Sequence, residues 1–140
     1  MNIDEKKDYL KRFQILNRRI DQTQIEIAHW GDIGTRVTPQ YTDMPKSSGT
    51  SNKVQTVAVE IAELEQQLEV QKREALAIRN QIKEILNSLQ DDELRDLLWY
   101  YYICGLSWGE VAEKMHYELH YTYALHRKAI EQLEIPKYHT

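Results

Sequence analysis

The sequence predicts an all-α protein in which two long helical rods, paired as a hairpin or coiled coil, are followed by a C-terminal head of three short helices. Three observations carry this expectation. Apolar residues recur at alternating steps of three and four over two long stretches, the spacing of a seam along a helix and not of a strand. Among 140 residues only five are Gly and three are Pro, a scarcity of breakers that suits helical protein. Beyond position 90 the periodic runs shorten and are bounded by capping and breaking residues, Asp91, Gly105, Ser107 and Pro136.

The first rod, residues 1–30, places Tyr9, Phe13, Leu16, Ile20, Thr23, Ile27 and Trp30 on one stripe, with a single polar interruption at Thr23. Gly31 and Gly34 are expected to stop this helix. Residues 31–52 then carry Gly, Pro, Ser and Thr without periodicity and read as a flexible linker.

The second rod, residues 53–90, holds the strongest pattern. Val54, Val57, Ile61, Leu64, Leu68, Gln71, Ala75, Ile78, Ile82, Ile85 and Leu89 keep the alternation, again with one polar position, Gln71. A lone rod of this kind cannot bury its seam. The first seam is shorter than the second, so a hairpin would cover only part of the longer one. The remainder, Ile61, Leu64, Leu68, Ala75, Ile78, Ile82 and Ile85, is expected to join copies into a homo-oligomer.

In the head, residues 91–140, Asp91 and Asp92 can start a helix that carries Leu94, Leu97, Leu98, Tyr101, Tyr102 and Ile103 and stops at a Gly105 C-cap. Ser107 and Glu110 have the spacing of a capping box, in which hydroxyl and carboxylate each take a backbone N–H of the first turn. Val111, Ala112 and Met115 share one face of the helix that follows, and the small Ala112 permits a close crossing. After a four-residue turn a last helix repeats Leu125, Ala129 and Leu133 every four residues and ends before Pro136. The pair of helices reads as a helix-turn-helix, with Leu119, His120, Tyr123, Ala124, Arg127 and Lys128 on or near its outward surface. Trp108 is expected to pack on Tyr101 or Tyr102.

The net charge of −4 is unevenly spread. Residues 1–50 hold eight basic and seven acidic side chains, residues 51–90 five and six, and residues 91–140 five and nine. The head is thus the most acidic part, with Glu118 at the start of its last helix. Phosphate neutralisation drives nucleic-acid affinity, so DNA binding by this head is expected to need several copies acting together.

Cys104 is the single cysteine, which excludes an internal disulfide, suits a reducing cytoplasm and is expected to be a small buried apolar group. No apolar run approaches the roughly 18 residues of a membrane span, and no signal peptide opens the chain. No P-loop, nucleophile elbow or glycine-rich phosphate turn is present, so no enzyme, catalytic residue or cofactor is expected. His116, His120 and His126 lack a Cys partner, and no metal site is expected from them. Capping explains Asp91, Asp92 and Glu93 better than catalysis does.

The last fifty residues resemble region 4 of sigma factors, the match running through Asp91 to Gly105, Leu106 to Met115 and Leu119 to Leu133. The whole chain resembles small phage-encoded transcriptional regulators of the late-gene activator type. The matching features are Tyr9-Leu10, Thr38-Pro39, Pro45-Lys46-Ser47-Ser48, and the Ile61, Leu64 and Leu68 rod. Ser107-Trp108-x-Glu110-Val111-Ala112 and Leu125-His126-Arg127-Lys128-Ala129 complete them. This resemblance implies a DNA-binding regulator of phage genes in the cytoplasm of a bacterial host, contacting double-stranded DNA through His120, Tyr121, Tyr123, Ala124, Arg127 and Lys128. Two other readings stay open. One is a protein-interaction module for RNA polymerase, a repressor or another phage protein, and the other is a small terminase-like packaging component.

Overall fold

The computed structural model describes residues 1–37 and 48–136, the side chains of 37 and 48–51 excepted. Among the described residues five α-helices follow one another: α1 (Ile3–Val37), α2 (Ser48–Asn87), α3 (Asp92–Leu98), α4 (Trp108–Met115) and α5 (Leu119–Gln132). A π-helical turn, Trp99–Ile103, continues α3. The described residues contain no strand, and the all-α expectation holds. Among them no helix is long and apolar enough to cross a membrane.

The chain divides into two compact units, one of Met1–Leu16 with Ala75–Thr140 and the other of Asn17–Glu74. Each contains a stretch of α1 and a stretch of α2. The head therefore packs with the beginning of α1 and the end of α2, a grouping that the sequence-based division at residue 91 does not anticipate.

In the unit of Asn17–Glu74 the two helices run antiparallel. Thr23 of α1 meets Gln71 of α2, and Gly34 of α1 meets Val57. The expected stop at Gly31 and Gly34 is not there, since α1 continues to Val37 and α2 already begins at Ser48. A glycine inside a helix costs only about 1 kcal/mol relative to alanine, and a continuing apolar seam outweighs that. Gly34 also has a packing reason, because a Cβ there would sit 3.1 Å from Val57 Cγ1. Of the expected linker, residues 31–37 and 48–52 are helical, and 38–47, with Thr38-Pro39 and Pro45-Lys46-Ser47, lie outside the described residues.

This lengthening removes the mismatch on which oligomerisation was expected, because α1 spans 35 residues. In the single chain Leu64, Ala75, Ile82 and Ile85 are already buried, and Ile61, Leu68 and Ile78 are half-buried. The seam expected to join copies is thus largely covered by the chain's own side chains.

The other unit holds the main core. Leu10 of α1, Ile82 and Leu86 of α2, Leu94, Leu97 and Leu98 of α3, Tyr102, Val111 of α4, and Ile130 and Leu133 at the end of α5 are all fully buried. Polar contacts tie α1 to this core. Lys6 Nζ donates to the carbonyl of Ile130 at 3.2 Å, Arg12 reaches Gln81 Oε1 at 3.3 Å, and Gln14 Nε2 donates to the carbonyl of Tyr101 at 2.6 Å.

Asp91 caps α3 by accepting from the N–H groups of Glu93 and Leu94, as the sequence suggests. The helix does not run as a regular α-helix to Gly105. It widens at Trp99, and the Cys104 N–H donates to the Trp99 carbonyl, the spacing of a π-turn. That extra residue lets bulky neighbours share the space, with Tyr102 and Ile103 both buried. Gly105 takes a left-handed φ of 72°, as a helix-ending glycine should. Cys104, expected inside, is exposed, because it sits at the outer end of this widened turn.

Candidate functional site

Helix α4 begins at the expected capping box. The Glu110 N–H donates to Ser107 Oγ and the Ser107 N–H donates to Glu110 Oε1, each at 3.2 Å. The helix ends at His116, whose φ of 60° is left-handed. Three residues, His116 to Glu118, separate α4 from α5, one fewer than expected. Glu118 occupies the N-cap of α5 without a side-chain capping bond, and the buried Thr122 hydroxyl donates to its carbonyl at 2.9 Å.

Helix α5 turns Thr122, Leu125, Ala129 and Ile130 into the core. The six residues singled out from the sequence, His120, Tyr121, Tyr123, Ala124, Arg127 and Lys128, are all exposed. Leu119 and Tyr121 are also largely in solvent, and the Tyr121 ring stands edge-on to Tyr117 at 5.0 Å. Arg127 Nε pairs with Glu131 Oε1 at 3.2 Å, an exposed i,i+4 ion pair of the kind worth only a few tenths of a kcal/mol. Lys128 makes no ion pair among the described residues.

One flank of α5 rests on an aromatic cluster. Trp108 stacks on Tyr101 with centroids 3.9 Å apart, its ring lies 4.4 Å from His126, and Tyr123 meets its edge at 6.0 Å. His126 Nε2 lies 2.8 Å from the Tyr102 hydroxyl. Burial, and after it the positive charges of Lys7 and Lys11, pushes the His126 pKa down to about 4. Burial holds the Tyr102 phenol above its ordinary value. Both groups are therefore neutral near pH 7, and the imidazole tautomer sets which of them donates in this hydrogen bond. His126 is a hydrogen-bonded packing residue, as its inward position suggests.

Beside this cluster lies an open cleft of about 640 Å³. Lys7 and Lys11 of α1 and Arg127 of α5 bring three cations to it, Asp4 brings its one carboxylate, and Tyr101, Trp108, Tyr123 and His126 supply rings. Sequence reasoning missed Lys7 and Lys11, because their approach to Arg127 is a tertiary event. The available signal was a pair of lysines at i,i+4, which puts two cations on one face of the first rod.

A smaller hollow of about 300 Å³ lies elsewhere on this unit, bordered by Lys83, Leu86, Arg95 and Asp96 and by the half-exposed Trp99. Among the described residues no three His, Cys, Asp or Glu side chains gather as metal ligands would.

The sequence pattern of the family described as protein of unknown function (DUF1492) matches residues 36–134. No curated protein and no solved structure matches the chain.

Proposed function

The chain belongs to the DUF1492 family of proteins of unknown function, and from that premise we propose that it is a DNA-binding transcriptional regulator of a phage or prophage. In this reading α4, the turn and α5 act as a helix-turn-helix, and α5 lies in the major groove. The observation that carries the reading is the outward face of α5. Its buried side is fully committed to the core, while His120, Tyr121, Tyr123, Ala124, Arg127 and Lys128 form a continuous exposed strip without a core role. Tyrosine, histidine and lysine there would hold phosphates, and the Arg127 guanidinium would contact a phosphate or a guanine edge. The resemblance of residues 107–112 and 125–129 to phage regulators supports the same assignment. Oligomerisation stays in the proposal for the avidity it would give an acidic head, although the seam expected to join copies is largely covered within one chain.

A mobility-shift titration against pooled phage promoter fragments at low salt tests this function. Wild type is expected to bind, Arg127→Ala with Lys128→Ala to weaken binding and flatten its salt dependence, and Glu131→Gln, which removes the carboxylate beside Arg127, to strengthen it. Unchanged binding in the double variant would show that this face is not the reader.

A second reading, a module that binds a host or phage protein such as RNA polymerase, is favoured by Trp99. This large ring is 39% exposed beside a hollow of mixed charge. Capture of polymerase by wild type but not by Trp99→Ala, without any DNA binding, would select it.

A further inference from the structure

We infer that Lys7 and Lys11 of α1, together with Arg127 of α5, form a second DNA contact, a cleft that seats the phosphate backbone alongside the α5 face. The inference rests on the DNA-binding reading above and deepens it by assigning to α1 a role in the same complex.

Three observations place these cations together and leave the two lysines without an ion pair among the described residues, while Arg127 is shared with the exposed Glu131 carboxylate. Lys7 and Lys11 stand one helical turn apart on α1 and line the same cleft as Arg127. The start of α1 is held against the end of α5, where Lys6 Nζ donates to the carbonyls of Ile130 and Glu131 at 3.2 and 3.4 Å. Neither Lys7 nor Lys11 forms an ion pair among the described residues, and Asp4 is the only carboxylate in the cleft. Burial is the larger cause of the lowered His126 pKa, and the nearby charges of Lys7 and Lys11 add to it.

The shape of the cleft favours nucleic acid over a free anion. Tyr123 and Arg127 belong both to its wall and to the exposed strip of α5, so a phosphate in the cleft would be continuous with a duplex lying on that strip. The rings of Trp108 and Tyr123 offer apolar surface to a sugar, and the ammonium groups are the point charges that phosphate oxygens accept from. The arrangement also accounts for how an acidic head could bind DNA at all, since α1 supplies cations that the last fifty residues lack.

The test is a fluorescence-anisotropy titration of the full chain against a labelled random-sequence duplex over a series of salt concentrations. Wild type is compared with Lys7→Gln plus Lys11→Gln and with Lys7→Arg plus Lys11→Arg. Glutamine keeps the aliphatic stem, and circular dichroism checks that helix content is retained. The glutamine pair is expected to lose roughly tenfold in affinity at low salt, with a log–log salt slope shallower by about one to two, while the arginine pair keeps the wild-type slope. Wild-type affinity and slope in the glutamine pair would overturn the cleft contact while leaving the α5 reading intact. An equal loss in both pairs would mark a structural role and overturn it as well. Absence of any salt-dependent binding by wild type would instead overturn the DNA reading on which the cleft depends.

Discussion

The Thr23 hydroxyl of α1 lies 2.9 Å from Gln71 Oε1 of α2, so the one polar position in each apolar seam meets the other. The same hydroxyl is 3.0 Å from the carbonyl of Arg19. Its single proton thus has two acceptors within reach, the Gln71 side-chain oxygen and the Arg19 carbonyl. A polar pair in such a seam costs stability compared with apolar packing but fixes the register of the two helices.

Thr23→Val alone strands the Gln71 amide at a half-buried position and is expected to lower unfolding free energy by about 1 kcal/mol. Thr23→Val with Gln71→Leu should recover or exceed wild-type stability, while allowing the helices to slip. Urea denaturation measures both, and a neutral single variant would mean that the two residues are neighbours without an energetic link.

The two glycines of α1 separate propensity from packing. A Cβ at Gly31 meets nothing within 4 Å, whereas one at Gly34 would press on Val57 Cγ1 at 3.1 Å. Gly31→Ala is therefore expected to stabilise by about 0.5–1 kcal/mol through reduced unfolded-state entropy. Gly34→Ala should return less of that gain or none, because Val57 is itself buried. Thermal melts of the two variants read the difference directly, and equal gains would show that Val57 yields without cost.

His126 couples stability to pH. Its pKa falls from the ordinary 6.5 to about 4 in the folded chain. As pH drops below 6.5 the unfolded chain takes up a proton that the folded chain refuses, so the contribution is complete above 6.5 and is lost progressively down to about 4. The full shift corresponds to about 1.4 kcal/mol per pH unit, and solvent around the half-buried ring reduces the total to about 1–2 kcal/mol. His126→Gln, which keeps an acceptor for Tyr102, should show a weaker pH dependence than wild type across this window. Identical profiles would contradict the assignment.

Much of this fold was legible because its signals are local. Both seams, the Asp91 cap, the Ser107–Glu110 box and the stacking of Trp108 on Tyr101 follow from spacing of a few residues. Gly31 and Gly34 misled because helix propensity is a weak preference that a continuing seam overrides. The π-turn that exposes Cys104 depends on how Tyr102 and its neighbour Ile103 both reach the core, which no periodic pattern encodes. At the candidate site the exposed strip of α5 was readable from one helix, whereas Lys7 and Lys11 reach it only through packing between opposite ends of the chain.

The most direct measurement of the central claim is a map of backbone amide shifts in the isotopically labelled full chain as duplex DNA is added at low salt. The account predicts perturbations concentrated on the outward half of α5, from Leu119 to Lys128, and on α1 around Lys7 and Lys11, with those of Asn17–Glu74 little changed. Shifts centred on Trp99 and Arg95, or no shifts at all, would contradict it.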